Sequence, residues 1–73
     1  MSSQSLDYFV TVINQAKNLT KKEKDILVRR LHKITLKKIG KRYKVTDERI
    51  RQIEKEALRK LGNKKISQLL LFD

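Results

Sequence analysis

The chain contains no proline, and its only glycines are Gly40 and Gly62. Tight hairpins draw on glycine, proline and Asn-Gly pairs, and strands need such punctuation at both ends. A chain without them is left with helices joined by short polar breaks. The expected fold is therefore all-α, a small four- to five-helix domain spanning residues 1–73. No internal repeat or low-complexity segment interrupts it.

Apolar residues recurring at three and four place the helices. Leu6, Phe9, Val10, Ile13 and Ala16 form one stripe, predicting a first helix from about Ser5 to Lys17, with Asp7 near its positive end. The second starts at Thr20, where Thr20-Lys21-Lys22-Glu23 has the form of a capping box. Its stripe is Ile26, Leu27 and Leu31, flanked by Val28, and it should stop near Leu31 or His32. The third starts at Thr35, with Leu36, Ile39 and Tyr43 facing inward, and the fourth at Thr46, with Ile50, Ile53, Ala57 and Leu61 inward. Asp47 and Glu48 occupy the fourth helix's first turn, where acids are favoured, and Gly62 falls where a helix-ending glycine belongs. The tail from residue 62 to 73 has Ile66, Leu69 and Leu70 on one side of a short fifth helix that closes the base of the core.

Helices three and four are separated only by Lys44-Val45 before the Thr46 cap, which predicts a helix-turn-helix over about residues 35–61. Gly40 lies inside the third helix, where glycine costs about 1 kcal/mol against alanine. Close approach by the following helix would explain it, with Val45 expected to plug the corner. Lys44 stands at the turn position where many such motifs carry glycine, so a mildly strained left-handed lysine is expected there.

Charge points the motif at a ligand. The 73 residues carry a formal net charge of +11, with a pI near 10.3. Nucleic acid is the commonest partner of a compact basic domain, and a membrane surface is the other option. No apolar run approaches the roughly 20 residues of a membrane span, and the N-terminus lacks a signal peptide's basic start. The stretch TDERIRQIEKEALRK, Thr46 to Lys60, then reads as a recognition helix. With Ile50, Ile53, Ala57 and Leu61 inward, the opposite face carries Glu48, Gln52, Lys55 and Arg59, with Arg51 at its edge. Arginine pairs with guanine, glutamine with adenine, and glutamate accepts from cytosine, so Glu48, Arg51 and Gln52 are the expected base-reading residues. An acid facing a polyanion makes sense if it reads a base or orients an arginine. Lys37, Lys38, Lys41, Arg42, Arg49, Lys55 and Arg59 are the expected DNA-backbone contacts. With roughly six phosphates neutralised, log K should fall against log salt with a slope of about −5.

The words themselves are familiar. VTDERIRQIEKEALRKL, Val45 to Leu61, closely resembles the recognition helix of the C-terminal promoter-binding domain, region 4, of bacterial primary-type (sigma-70 family) sigma factors. TLKKIGKRYKV is similar to the first helix of that motif, and LTKKEKDILVRRL, Leu19 to Leu31, to the helix before it. The resemblance implies binding of a minus-35 promoter element in the major groove and docking on the beta-subunit flap of RNA polymerase to direct transcription initiation. It also implies activator or anti-sigma proteins as further partners, with activators meeting the segment Lys55 to Lys60, and a place in the bacterial cytoplasm or nucleoid, or in a phage-infected cell. Family members often carry a basic residue where Asp47 stands, a departure expected to remove one DNA contact. No segment for the minus-10 element or promoter melting is present, so the chain is expected to be a domain of a longer sigma factor or a small regulator that borrows one.

A competing reading is a protein-interaction adaptor of phage or mobile-element type that occupies the polymerase flap, with DNA binding secondary. Leu6, Phe9, Leu69, Leu70 and Phe72, more apolar surface than a thin core obviously needs, are its expected docking residues. A dimeric helix-turn-helix repressor or activator is a third, although no dimerisation helix remains once the core is counted. Enzymatic activity is not expected: His32, the only histidine, reads as structural, there is no cysteine, and no nucleophile–base pair, metal cluster or phosphate loop is visible. No cofactor or metal is implied. Tyr8 and Tyr43 read as core residues rather than stacking platforms.

Overall fold

The structure, a computed structural model, describes residues 3–70, with side chains described from Leu6 onward. Five helices follow in order: α1 Ser3–Gln15, α2 Lys21–Leu31, α3 Leu36–Tyr43, α4 Asp47–Leu61 and α5 Lys64–Leu69. No helix among the described residues is long and apolar enough to cross a membrane.

The starts of α2 to α5 are set by side chains that satisfy the first free N–H groups of each helix. Thr20 Oγ1 accepts from the Glu23 N–H at 3.1 Å while Glu23 Oε1 accepts from the Thr20 N–H at 2.9 Å, completing the capping box. Thr35 accepts from the Lys38 N–H at 3.2 Å and Thr46 from the Arg49 N–H at 3.1 Å. Asn63, a cap the periodicity does not reveal, accepts from the Ile66 N–H at 3.0 Å.

The ends are set by left-handed residues. Lys33 (φ 66°), Lys44 (φ 59°) and Gly62 (φ 66°) terminate α2, α3 and α4. After α2, Ile34 N–H donates to the Arg29 carbonyl and Lys33 N–H to that of Arg30; after α3, Val45 N–H donates to Gly40 and Lys44 N–H to Lys41. These are the paired hydrogen bonds of the Schellman motif, built twice on lysine where glycine is usual. The expected left-handed Lys44 is observed, and Lys33 repeats it. α1 ends at Gln15, two residues earlier than its stripe suggests, because Leu19 turns into the core and Asn18 Nδ2 donates to the Lys60 carbonyl at 2.8 Å.

Two apolar clusters form the interior. Phe9, Ile13, Leu19, Leu27, Leu31, Ala57, Ile66 and Leu70 join α1, α2, α4 and α5. Ile26, Leu36, Ile39 and Ile50, with Tyr43 and Ile53 against them, join α2, α3 and α4. α2 and α4 serve both clusters, and they are tied by an ion pair. Arg30 is 1% exposed; its Nε donates to Glu54 Oε2 at 2.6 Å and its Nη1 to the Ile34 carbonyl at 3.2 Å, while Nη2 reaches the Leu70 carbonyl at 3.5 Å. No buried polar side-chain atom among the described residues lacks a partner.

Four expectations change. Phe9 and Leu70, expected as docking residues, are buried in the first cluster, because α5 folds back and completes the core around them. Tyr8, expected inside, is 63% exposed: it lies one residue off the α1 stripe, and Phe9 takes the inward position. Val45, expected to plug the corner, is an exposed side chain. Its backbone does the packing, since a Cβ on Gly40 would sit 2.7 Å from the Val45 carbonyl oxygen and 3.2 Å from the Thr46 carbonyl carbon. His32 is exposed, with its ring Nδ1 2.9 Å from the Val28 carbonyl.

Two stability changes test this packing. Gly40→Ala, which would gain about 1 kcal/mol in an open helix, should instead destabilise by about 1–3 kcal/mol because backbone must move aside. Glu54→Ala should destabilise by about 3–5 kcal/mol by stranding the buried Arg30. Thermal or urea unfolding followed by circular dichroism reads both.

Candidate nucleic-acid interface

The turn after α3 positions everything on this face. Lys44 reverses the chain, the Val45 carbonyl lodges against Gly40, and Thr46 starts α4 at once. With a side chain at position 40 the two helices could not meet this closely. Ile39 and Ile50 then bury in the same cluster, which fixes the rotation of α4 about its axis. Ile50, Glu54 and Ala57 point inward, and Glu48, Arg51, Gln52, Lys55 and Arg59 are all exposed.

The first two turns of α4 carry hydrogen bonds among their own side chains and backbone. Asp47 Oδ1 accepts from the Glu48 N–H at 2.9 Å. Arg51 Nε donates to Glu48 Oε2 at 3.1 Å, and Arg51 Nη2 donates to Glu48 Oε1. This hydrogen bond and the carboxylate charge make the Arg51 guanidinium hold its proton more firmly still. A second pair of the same form lies further down the helix, where Arg59 Nε donates to Glu56 Oε2 at 3.0 Å. The hydrogen bond from Arg59, opposed by slight desolvation, lowers the Glu56 pKa.

The two helices bring their starts together. A shallow groove is lined by Thr35, Leu36 and Lys37 of the α3 end and by Asp47, Glu48 and Arg51 of α4. Lys37 therefore shares an edge with the Glu48–Arg51 pair. Lys38, Lys41 and Arg49 are exposed on the same two-helix unit. Arg42 is exposed as well but lies on the α2 side, close enough to Asp25 to help lower its pKa. There Asp25 accepts from Tyr43 Oη and from Arg29 Nε at 2.9 Å, and these bonds outweigh the upward push of its partial burial. Burial and the bond to Asp25 raise the Tyr43 pKa, and Lys22 Nζ stands 5.2 Å above the Tyr43 ring.

Pairing of this kind sorts the charge. Glu23, Asp25, Glu48, Glu54 and Glu56 each take up a cation: Lys60, Arg29, Arg51, Arg30 and Arg59. The acids are thus largely neutralised within the chain. Much of the positive excess is carried by exposed lysines, among them Lys37, Lys38, Lys41 and Lys55 around the helix-turn-helix.

Sequence reasoning missed Arg30 and Glu54, which hold this unit onto α2. The signal was present: Arg30 follows Ile26 by four and Glu54 follows Ile50 by four, so opposite charges occupy stripe positions on two helices. Leu6 and Leu69, two further expected docking residues, are half-buried and line a small groove with Leu31 and Lys33. Leu71 and Phe72 lie outside the described residues.

Residues 17–63 match the family described as Sigma-70, region 4. The matched span takes in α2, α3 and α4 and leaves α1 and α5 outside. No curated protein and no solved structure matches the chain.

The exposed α3 lysines give a test that needs no knowledge of the target sequence. Lys41→Ala should weaken binding to every duplex alike and reduce the steepness of log K against log salt by about one unit. An unchanged slope in a salt titration would remove Lys41 from the expected phosphate contacts.

Proposed function

The chain belongs to the Sigma-70 region 4 family of DNA-binding helix-turn-helix domains, and from that premise we propose that it recognises a minus-35-type promoter element and docks on RNA polymerase to direct initiation. The observation that carries this reading is the outer face of α4. Glu48, Arg51 and Gln52 are exposed together on the N-terminal turns of the second helix, the part of such a motif that enters the major groove. Each brings a chemistry suited to a base edge. Lys37, Lys38 and Lys41 on α3 and Arg49, Lys55 and Arg59 on α4 are exposed, which supports their reading as phosphate contacts. The Arg59–Glu56 pair offers a charged surface between Lys55 and Lys60 where an activator could bind.

A second reading has its own support. Leu6 and Leu69 stay half-buried around a groove, and Tyr8 is exposed on α1, outside the family-matched span. A flap-binding adaptor would use that side and leave α4 idle.

The experiment is a titration of the 73-residue chain against a duplex carrying a TTGACA element, a scrambled duplex and purified RNA polymerase, at two salt concentrations. Preference for the element supports promoter recognition. The double change Arg51→Ala, Gln52→Ala should then remove the preference while leaving polymerase binding in place. Equal, salt-sensitive binding to both duplexes together with tight polymerase binding would favour the adaptor.

A further inference from the structure

A guanidinium has two edges that can each hold a planar pair of acceptors, one between Nε and an Nη, the other between the two Nη atoms. On α4 the first edge of Arg51 is filled by the Glu48 carboxylate, with Nε donating to Oε2 at 3.1 Å and Nη2 to Oε1. The second edge is the one that matches guanine, whose O6 and N7 accept side by side in the major groove. Both residues stand more than half exposed on the first two turns of the helix, and Lys37 of α3 borders the same groove. The backbone beneath them is held by the Thr46 cap and by Asp47 Oδ1 on the Glu48 N–H.

We propose that Glu48 is a positioning residue that acts through Arg51, so that the two side chains read a single guanine as one unit rather than each reading its own base. The proposal rests on the base-reading role of α4 and specifies how that role is divided.

Three physical arguments favour it. Both Glu48 oxygens are already committed to Arg51, which accounts for an acid on a face that meets a polyanion: the pair presents a polarised, nearly neutral unit instead of a bare carboxylate. In water such an exposed pair contributes little to stability, but insertion into a groove removes water and strengthens it. Finally, an arginine whose arrangements are narrowed by its carboxylate partner loses less freedom on binding than one ordered by the base alone. The Glu56–Arg59 pair supplies an internal comparison, since it has the same geometry two turns further along.

The test uses the whole chain and duplexes that it enriches from a random pool. Affinities of the wild type, Glu48→Ala, Arg51→Ala and the double variant are measured for the preferred duplex and each of its single-base-pair variants. Arg51→Ala should flatten discrimination at one G·C pair by roughly 5- to 150-fold. Glu48→Ala should flatten the same pair by a smaller factor, and the double variant should lose no more than Arg51→Ala alone. Glu56→Ala should leave the discrimination profile unchanged. A purely electrostatic Glu48 would instead shift all duplexes alike. That result, relaxation at a different base pair by Glu48→Ala, or losses in the double variant that multiply, would overturn the proposal while leaving base reading intact. A wild type that enriches no sequence would remove base reading and this inference together. All three substituted residues are exposed, and circular dichroism of each variant verifies folding.

Discussion

Arg30 and Glu54 hold the protein in register. One guanidinium, almost fully buried, joins α2 to α4, touches the α2–α3 connection at Ile34 and reaches the end of α5 at Leu70. Burying two charges is expensive, and an apolar pair of similar volume is often as stable. What apolar residues would not supply is direction. Leucine against leucine tolerates a sliding helix; a guanidinium bonded to one carboxylate and to backbone carbonyls does not. We read the pair as the constraint that fixes how α4 is rotated and how far it has slid along α2. The other ties between helices fall into place around it. Lys60 Nζ sits within 3.3 Å of both Glu23 oxygens, at the opposite end of the α2–α4 contact, and Lys24 Nζ donates to the Asn14 carbonyl at the end of α1. Glu23 serves twice, capping α2 and anchoring α4, and both roles lower its pKa, the bond from the Thr20 backbone foremost.

The helix-turn-helix depends on a second, purely steric constraint. Gly40 leaves a space that the Val45 carbonyl fills, so the turn lies directly on α3. Left-handed Lys44 permits that reversal with a modest local strain. A lysine here adds an exposed cation to the turn of the helix-turn-helix that a glycine would not. Stability and charge are thereby exchanged at one residue, and the same exchange recurs at Lys33 after α2.

These two constraints have a consequence for binding. With α4 locked inward by Ile50, Glu54 and Ala57, its opposite face has one orientation only, and Glu48, Arg51 and Gln52 are presented together. Because the chain's acids are mostly occupied by its own arginines and Lys60, the surface lysines remain to dominate the field felt by an approaching polyanion. Pairing within the chain and attraction outside it are two sides of the same charge distribution.

Much of this was decided locally. Thr20, Thr35 and Thr46 cap helices through atoms three residues away, and the period of the apolar stripes sets which side of each helix is wet. Helix order, the short turn, the left-handed Lys44 and the exposed residues of α4 could therefore be read from the sequence by itself, as could the family. The tertiary structure alone placed Arg30 and Glu54 inside, gave Gly40 a backbone neighbour instead of the Val45 side chain, put Tyr8 in solvent, and decided that Phe9 and Leu70, stripe residues also expected to dock a partner, belong to the core. The physical reason is distance along the chain. The bonds of Arg30 to Glu54 and Leu70 span 24 and 40 residues, and whether a charge at a stripe position is buried or exposed depends on a partner that no local pattern contains.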